Sequence, residues 1–433
     1  MKICRHIATL FALALVALSS CSKVEPKDVV FEEKDKTILL YFASHNNLYT
    51  DAAANIVKII NGYVPDNGNI VLYCNNFDLE TKQMKDTLPL LVNICKNKHG
   101  NVQIDTIYRF PYQNSCTKNS MRSVINITKT ICPAKQYGLV LWSHGTGWLP
   151  AGYYTLNPSS TTSVMPSSAI SEEDSQSRRQ ASLAGNRPLF PEPPGGVDPY
   201  AHMVKSFGSE LKTEMSIFDI QEAVGETHFD FIALDACLMG GIEVVFQLKD
   251  CCDYIISSPA EILTDSFPYD KVIQRMFNED YAGVAKDFYD YYNAQSGEYR
   301  SATISTVKCS ELGAVAQEAR KLFDQYRSGI PSLDVTQVQR YFRFNDHWFY
   351  DFKDYMDNLC GKSETVALGE ALKKAVIAKY TTGLMITLEI DPAKFSGLSS
   401  YINNPVEAPL TSFYQKYAWN EAVRMIVPET STE

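Results

Sequence analysis

A histidine and a cysteine each follow a hydrophobic segment of the chain, and together they could perform nucleophilic catalysis. His144 comes near the end of YGLVLWSHG, and Cys237 ends FDFIALDAC. The segment LMGGIEVVFQL after Cys237 predicts a helix, and a thiol near backbone N–H groups at a helix start is favoured as the reactive thiolate. A nearby imidazole can take up the thiol proton and later deliver it to a leaving amine. The two residue types therefore predict a covalent thiol mechanism.

The loops around these two residues could also hold the oxyanion of such a reaction. Glycine permits close approach, so the backbone N–H groups of Gly145 and Cys237 are the candidate donors. Each residue alone has an ordinary alternative, because a cysteine after an apolar strand is typical of a buried small side chain and SHG is typical of a turn. Two other chemistries have weaker support. HGTG lacks a P-loop lysine and a complete GxGxxG, and neither Ser143 nor Ser257 lies in GxSxG.

Strands and helices that alternate along the chain must bring the histidine and the cysteine together. Apolar segments rich in β-branched and aromatic residues predict strands at 37–44, 68–75, 102–110, 137–145, 229–237, 252–260, 302–307 and 383–390. Helices are predicted at 48–61, 116–131, 217–224, 241–248, 281–294, 311–326, 364–377 and 414–426. This alternation predicts an α/β fold, with a mostly parallel sheet covered by helices on both faces. Ligands bind at the carboxyl ends of such strands, so neighbouring strands would place His144 and Cys237 at one edge.

The first residues have the features of an export signal. Lys2 and Arg5 precede a short apolar run, and small residues then lead to Cys21. This pattern predicts a bacterial lipoprotein signal peptide over 1–20, with Cys21 lipidated and a charged tether over 21–36. An ordinary secretory signal is the alternative. We therefore expect the protein in the bacterial cell envelope, anchored through its N-terminal lipid, at the outer membrane or the cell surface.

The composition excludes some functions and leaves others open. With 45% hydrophobic residues and a net charge of −10, the chain is globular and has no basic stripe, so we expect no nucleic-acid partner. Nine of the eleven cysteines lie beyond the signal and the lipidation site, without CxxC pairs or regular spacing. No disulfide framework is predicted. Cys251 and Cys252 are interpreted as small hydrophobic side chains.

The two catalytic segments also resemble a known family. LVLWSHGTGW and FDFIALDACLMGGIEVVFQLKDCCDYIISSP are similar to the two signature blocks of the clostripain family of cysteine peptidases, in the clan of caspases, gingipains and legumains. ILLYFASHNNL resembles its opening strand, and FSGLSSYINN resembles a weaker late block. The resemblance implies a caspase-like peptidase domain over 37–306, with an α/β or helical C-terminal extension over 307–433 packed on it. It also implies that His144 is the general base and acid and Cys237 the nucleophile. His45 departs from the family pattern and is expected at the rim of the site.

The resemblance further implies an endopeptidase that cleaves protein or peptide substrates after Arg, or after Lys. Residues two apart along a strand share a face, so Asp235 would point the same way as Cys237. A carboxylate beside a thiolate opposes its ionisation, which favours a place for Asp235 facing a cationic substrate side chain. Glu261 and Asp265 follow the next strand. Asp265 is implied as a second pocket acid, with a helix cap as its alternative.

A segment over about 150–200 is rich in Ser, Pro, Thr and Gly and predicts an exposed, disordered insert. Family members are often zymogens cleaved between the two blocks, so Arg178 and Arg179 in this insert are a candidate self-processing site, and an idle linker is the alternative.

Some relatives need calcium, which makes calcium a candidate cofactor, but no EF-hand-like loop is present. Asp351 and Asp354 are interpreted as a solvated helix face, not as metal ligands. The rival hypothesis is a catalytically silent surface lipoprotein that uses the peptidase fold for binding.

Overall fold

The computed structural model describes residues 30–78, 83–151, 153, 203, 214–343, 348–404 and 407–427 of the 433-residue chain. Its strands are β1 (Lys34–Phe42), β2 (Gly68–Asp78), β3 (Gln83–Lys96), β4 (Val102–Arg109), β5 (Ala134–Trp142), β6 (Phe229–Asp235), β7 (Cys252–Ser257), β8 (Thr303–Lys308), β9 (Tyr350–Asp351), β10 (Val376–Thr381), β11 (Leu384–Met385), β12 (Leu388–Glu389) and β13 (Ser399–Ser400). Its helices are α1 (Tyr49–Asn61), α2 (Lys118–Ile131), α3 (Ile217–Val224), α4 (Ile242–Leu248), α5 (Tyr269–Phe277), α6 (Tyr281–Asn293), α7 (Leu312–Tyr326), α8 (Phe352–Cys360), α9 (Val366–Ala375), α10 (Ala408–Tyr414) and α11 (Ala418–Val423).

Within these described ranges, nine strands form one sheet in the order β10–β8–β7–β6–β5–β1–β2–β3–β4. The five central strands β2, β1, β5, β6 and β7 run parallel. Antiparallel strands extend the sheet on both sides, β3 and β4 beyond β2, and β8 and β10 beyond β7. Segments such as LLYF in β1 and FIALD in β6 are buried at every position, as expected for strands covered on both faces. The predicted mostly parallel sheet is confirmed.

Helices cover both faces of the sheet. The phenol of Tyr269 on α5 reaches the Asp235 carboxylate from one face, whereas Met121 of α2 and Ile220 of α3 line a cavity with Leu141 on the other. The helices α2 and α3 on the second of these faces begin with side-chain caps that close their first turns. Thr117 caps α2, and the reciprocal pair of Ser216 and Asp219 forms a capping box at the start of α3.

Some predicted elements differ from the structure. Residues 364–377 were predicted as one helix, but α9 ends at Ala375 and the alternating segment VIAKYT becomes β10, an edge strand paired with β8. Residues 383–390 form the small hairpin of β11 and β12 instead of a sheet strand. The long strand β3 was not predicted, because a proline inside a segment argues against a central strand. Pro89 is accommodated opposite Asn75, next to a β-bulge.

Residues 307–427 of the predicted extension contribute to the same architecture. Strand β10 joins the main sheet, and α7 packs against α9 and α11. The predicted helix over 414–426 is instead two short helices, α10 and α11, separated at residues 415–417. No helix in the described ranges is long and apolar enough to cross a membrane. Cys21, Arg178 and Arg179 lie outside the described residues, as does most of the 150–200 segment.

The interpretation of Asp351 and Asp354 as a solvated helix face was wrong. Asp351 is fully buried and caps α8, where it accepts a hydrogen bond from the Asp354 backbone N–H at 2.9 Å. It also accepts bonds from the Tyr341 hydroxyl at 2.5 Å and the Ser396 N–H at 2.6 Å. Burial raises the pKa of Asp351 to about 6, against these three donors, which act to lower it. The two acids are therefore structural groups of the core.

Candidate active site

The strands β5 and β6 carry His144 and Cys237 to the same edge of the sheet. The two strands are parallel neighbours with Trp142 opposite Asp235, and each candidate residue lies two positions beyond its strand. A Cβ atom on Gly145 would lie 2.5 Å from the Cys237 carbonyl oxygen and 3.1 Å from its backbone nitrogen. Only glycine fits at such a distance. The loop that carries His144 and the turn that carries Cys237 are therefore in direct contact.

Cys237 is enclosed by the loop that follows β7. The residue is fully buried, its Sγ accepts a hydrogen bond from the Ile262 N–H at 3.0 Å, and the thiol lies 3.4 Å from the Ile262 carbonyl oxygen. The next residue, Leu238, turns the chain with a φ of +63°. Helix α4 begins only at Ile242. Cys237 therefore lies in a turn between β6 and α4, as predicted, but the helix starts only beyond Gly241, and the amide that donates to the sulfur is that of Ile262.

His144 is oriented by a side chain from the loop after β1. The half-buried imidazole places Nε2 2.9 Å from the Asn47 Oδ1 atom. If Nε2 carries its proton and donates to this oxygen, Nδ1 is the basic nitrogen of the ring. The sequence prediction missed Asn47. Its signal was present, because FASHNNL follows β1 and β1 is the parallel neighbour of β5. His45 is half-buried in the same loop.

The two acids assigned to the substrate pocket have partners in the structure. Asp235 is fully buried and accepts a hydrogen bond from the Tyr269 hydroxyl at 2.6 Å. Asp265 is about half exposed, at 48% of its side chain, and contacts the Lys58 ammonium and the Tyr291 hydroxyl. Neither acid therefore lies in an open pocket here.

Both carboxylates nevertheless face one buried phenol. Burial holds the pKa of Tyr292 well above its ordinary value, and negative charge on Asp265 and Asp235 raises it further. Its hydroxyl donates to the Ser266 carbonyl oxygen at 2.7 Å, and the Ser266 hydroxyl accepts from the Trp142 indole at 2.8 Å. The two acids thus bond different tyrosine hydroxyls, Asp235 that of Tyr269 and Asp265 that of Tyr291.

A small cavity of about 80 Å³ lies beside the histidine loop. It is lined by the residues around His144 and by side chains such as Met215 and Met239, which were not predicted from sequence. A wider groove of about 1420 Å³, lined by C-terminal residues that include Arg340 and Tyr401, contains neither catalytic candidate. Among the described residues, no cluster of three or more His, Cys, Asp or Glu side chains could hold a metal ion.

Comparison with known proteins identifies the family. The family model of the clostripain family matches residues 40–160 and 205–387, which is more than half of the chain. The chain belongs to the clostripain family. It is therefore a cysteine protease, as the two signature blocks predicted, and the sulfur of a cysteine is the nucleophile of its reaction.

Solved structures of other clostripain-family proteases share the fold. An inactive zymogen C11 protease from Parabacteroides distasonis is 28% identical, with a TM-score of 0.70 over 91% of this chain and 99% of that one. A secreted C11 cysteine protease from Bacteroides thetaiotaomicron, in complex with an irreversible peptide inhibitor, is 26% identical, with a TM-score of 0.67 over 90% and 98% of the two chains. A structure of a secreted C11 cysteine protease from the same organism, called iotapain, is 22% identical, with a TM-score of 0.68 over 90% and 99%. No curated protein matches the chain. The caspase-like fold and the cysteine-protease class are confirmed.

In this clostripain-family protease, the thiol of Cys237 rests against the Ile262 backbone and is closed off from solvent. A molecule from solvent could reach this sulfur only after the side chain rotates or the loop after β7 moves.

Proposed function

We propose that this cysteine protease is an endopeptidase that cleaves peptide bonds after Arg, and secondarily after Lys, with a dyad of Cys237 and His144. One observation carries the proposal: Gly145 packs directly on the Cys237 backbone at the carboxyl edge of β5 and β6. This contact supports a shared site for a thiol and an imidazole that are far apart in the sequence.

The proposed reaction follows from the chemistry of the two side chains. His144 takes the thiol proton, and the Cys237 sulfur attacks the carbonyl carbon, so that a C–S bond forms and a tetrahedral oxyanion develops. The backbone N–H groups of Gly145 and Cys237 are the proposed donors to this oxyanion. His144 then protonates the leaving amine as the C–N bond breaks. It next takes a proton from water, whose oxygen attacks the thioester carbonyl carbon. The C–S bond then breaks, the acid leaves, and the sulfur recovers the proton held by His144.

The preference for basic residues rests on Asp235 and Asp265. Asp235 ends β6 and Asp265 follows β7, the parallel neighbour of β6, which supports two carboxylates at the sheet edge that carries the cysteine turn. A substrate guanidinium could bind both oxygens of a carboxylate, which is the geometry that arginine favours. It would have to compete with Lys58 for Asp265 and with the Tyr269 phenol for Asp235.

A peptide assay on the purified protein tests this function. We expect hydrolysis of fluorogenic peptides with Arg before the bond, weaker hydrolysis with Lys, and none with Asp or Ala. Cys237→Ala should lose all turnover, whereas Cys360→Ala should keep it, and the alkylation that abolishes turnover of the wild type should map to Cys237 by mass spectrometry. Preference for Asp or Ala would remove Asp235 and Asp265 from their roles. Folded wild-type protein that binds peptides but never cleaves them would favour the rival function, a silent binding lipoprotein.

We also propose that the protease matures by cutting itself after Arg179. The site lies outside the described residues, and the proposal is supported by the zymogen form of the relative from Parabacteroides distasonis and by the match between QSRRQA and the expected specificity. Intact-mass spectrometry of wild type and Cys237→Ala, with and without calcium, would show a clipped wild type and an intact variant. Two intact chains would argue against self-processing. Equal peptidase activity before and after a chelator removes calcium would argue against a need for calcium.

The envelope location remains a proposal that depends on Cys21, outside the described residues. A relative is described as secreted, which is compatible with export of this chain. Palmitate labelling should mark the wild type and not Cys21→Ala. Label on the variant would show that another residue carries the lipid.

A further inference from the structure

The turn that carries the nucleophile is bound to the loop after β7 residue by residue. The Leu238 N–H donates to the Ala260 carbonyl at 2.8 Å, and the Gly240 N–H donates to the Ser258 carbonyl at 2.7 Å. The Ile262 N–H donates to the Cys237 sulfur at 3.0 Å. A displacement of this loop would therefore move the cysteine with it.

Glu261 lies in the middle of this loop and is held by one arginine. Its carboxylate is fully buried and forms a two-pronged ion pair with Arg343, with Nε 2.7 Å from Oε2 and Nη2 3.1 Å from Oε1. The Arg343 side chain is 4% exposed. The two parallel hydrogen bonds between the planar guanidinium and the carboxylate fix the relative orientation of the two side chains as well as their separation. Removing one partner would leave a buried charge, which is strongly unfavourable. The position of Glu261, and of the residues on either side of it, therefore depends on Arg343.

The part of the chain that supplies Arg343 also supports the histidine loop. A Cβ atom on Gly147 would lie 2.7 Å from the Phe349 ring, and the Trp148 indole donates to the Trp348 carbonyl at 3.2 Å. Gly147 and Trp148 follow His144 closely in the chain. The C-terminal part of the molecule thus contacts both loops that meet at the candidate dyad.

We propose that Glu261 and Arg343 are positioning residues, whose ion pair sets the Ile262 amide against the Cys237 sulfur and so places the nucleophile. The pair does not touch the substrate. Its role rests on the proposed function, because it needs Cys237 to be the attacking group. Glu261 was one of the two acids after β7 considered for the substrate side, and the ion pair assigns it a different task.

Kinetics on the full-length protein test this role. Arg343→Met should lower kcat for an arginyl peptide about 10- to 100-fold, the range expected from a misplaced reacting atom, with KM nearly unchanged. It should raise the rate of iodoacetamide alkylation at Cys237, followed by mass spectrometry, because release of the loop opens the enclosed sulfur to a reagent that does not use a substrate pocket. Arg343→Lys should return both rates part of the way to the wild-type values, since it restores the charge without the second hydrogen bond to the carboxylate.

Two further variants separate positioning from stability. Lys353→Met breaks the Lys353–Asp357 pair on α8, and we expect a lower melting temperature with unchanged kcat and alkylation rate. Glu261→Met combined with Arg343→Met removes both buried charges and should fold even where the single variant does not. If the pair positions the sulfur, this double variant still turns over slowly and is still alkylated faster than the wild type.

Three results would overturn the proposal: a folded Arg343→Met protein that is alkylated at the wild-type rate, a double variant with wild-type rates, or a rise in KM without a change in alkylation. The last would assign Glu261 to the substrate pocket. Failure of the proposed function looks different, because Cys237→Ala would then keep the activity of the wild type.

Discussion

At the scale of single residues, the loop after β1 contributes directly to the candidate site. Asn47 lies 2.9 Å from the Nε2 atom of His144 through its Oδ1 atom. An acceptor at this nitrogen selects one tautomer and orients the ring, so that the other nitrogen is available for proton transfer. The side chain acts on the imidazole and not on the substrate, which makes Asn47 a positioning residue.

We therefore expect Asn47→Ala to lower kcat about 10- to 100-fold with little change in KM. Asn47→Asp should retain more activity than Asn47→Ala, because a carboxylate also accepts from Nε2 and favours the imidazolium that forms during the reaction. His45→Ala, in the same loop, is the control and should remain active. Steady-state kinetics on an arginyl peptide measures all three. If His45→Ala were inactive while His144→Ala still turned over, the roles of the two histidines would be reversed.

The sequence predicted that the strand ends carrying His144 and Cys237 lie together, but not the contacts that orient these two side chains. His144 and Cys237 each follow a buried strand, and the parallel sheet explains why they share an edge. Asn47 depends on the conformation of a loop, and Ile262 contributes a backbone amide that any residue type could supply. The alternation argument for Asp235 applies within β6. Cys237 lies beyond that strand, where the left-handed Leu238 changes the direction of the chain.

At the scale of elements, the short helix α4 connects the cysteine turn to the C-terminal part of the chain. Glu243 in its first turn is fully buried. Its Oε1 accepts bonds from the Tyr414 hydroxyl at 2.8 Å, the Tyr401 N–H at 2.9 Å and the Ser400 hydroxyl at 3.1 Å. Oε2 is buried with no hydrogen-bond partner in the described structure. Burial raises the pKa of Glu243 above its ordinary value of 4.5.

This raised pKa makes a prediction with a definite sign. Between pH 4.5 and the raised value, the native state holds a proton that the unfolded state has released, so the free energy of unfolding falls as the pH rises. Glu243→Gln should remove this decline and stabilise the protein by about 1 kcal/mol or more above that window. Glu243→Ala should instead destabilise it, because it leaves the three donors without their acceptor.

Denaturant unfolding between about pH 4.5 and about pH 8 measures the effect. The matched control is Glu222→Gln on α3. Glu222 is exposed and bonded to Lys118, which lowers its pKa. This variant should therefore lose stability only at a pH where the wild-type carboxylate is ionised. It should leave the fall in the free energy of unfolding with rising pH unchanged. Equal pH dependence in wild type and Glu243→Gln would rule out a raised pKa of Glu243 in the native state.

At the scale of the whole molecule, the C-terminal part shares the core of the peptidase. Strand β10 extends the main sheet, and the Tyr417 hydroxyl donates to the Trp148 carbonyl at 2.7 Å, just beyond the histidine loop. Trp148 also packs against Tyr401 and Tyr414, with ring centroids 4.6 Å and 5.3 Å apart. Shared core of this kind predicts one cooperative unfolding transition.

Tyr417 allows a graded test of this coupling. Tyr417→Phe should cost about 1 kcal/mol for the lost hydrogen bond, and Tyr417→Ala about 3 to 5 kcal/mol for the cavity in addition. Calorimetry should show one transition that moves to lower temperature in that order, and peptidase activity should be lost in the same transition. A second transition, with activity that survives the first, would mean that residues 307–433 form an independent unit.

The sequence predicted the sheet type and most of the helices in this molecule, because hydrophobic periodicity reports burial. It placed the sheet strand after residue 307 at 383–390 and not at β10, since a short edge strand such as VIAKYT resembles the end of the helix before it. Cys251 and Cys252 are buried, as their interpretation as small hydrophobic side chains predicted. All nine cysteines in the described ranges are free thiols.

The enclosure of Cys237 has a chemical consequence for its thiol. Peroxides and small disulfides react with thiolates that they can reach, and the products of over-oxidation are irreversible. A sulfur that is fully buried and bonded to the Ile262 amide is shielded from these reagents. This conformation would thus preserve the proposed nucleophile in its reduced form until a movement that admits a peptide also exposes it to oxidants.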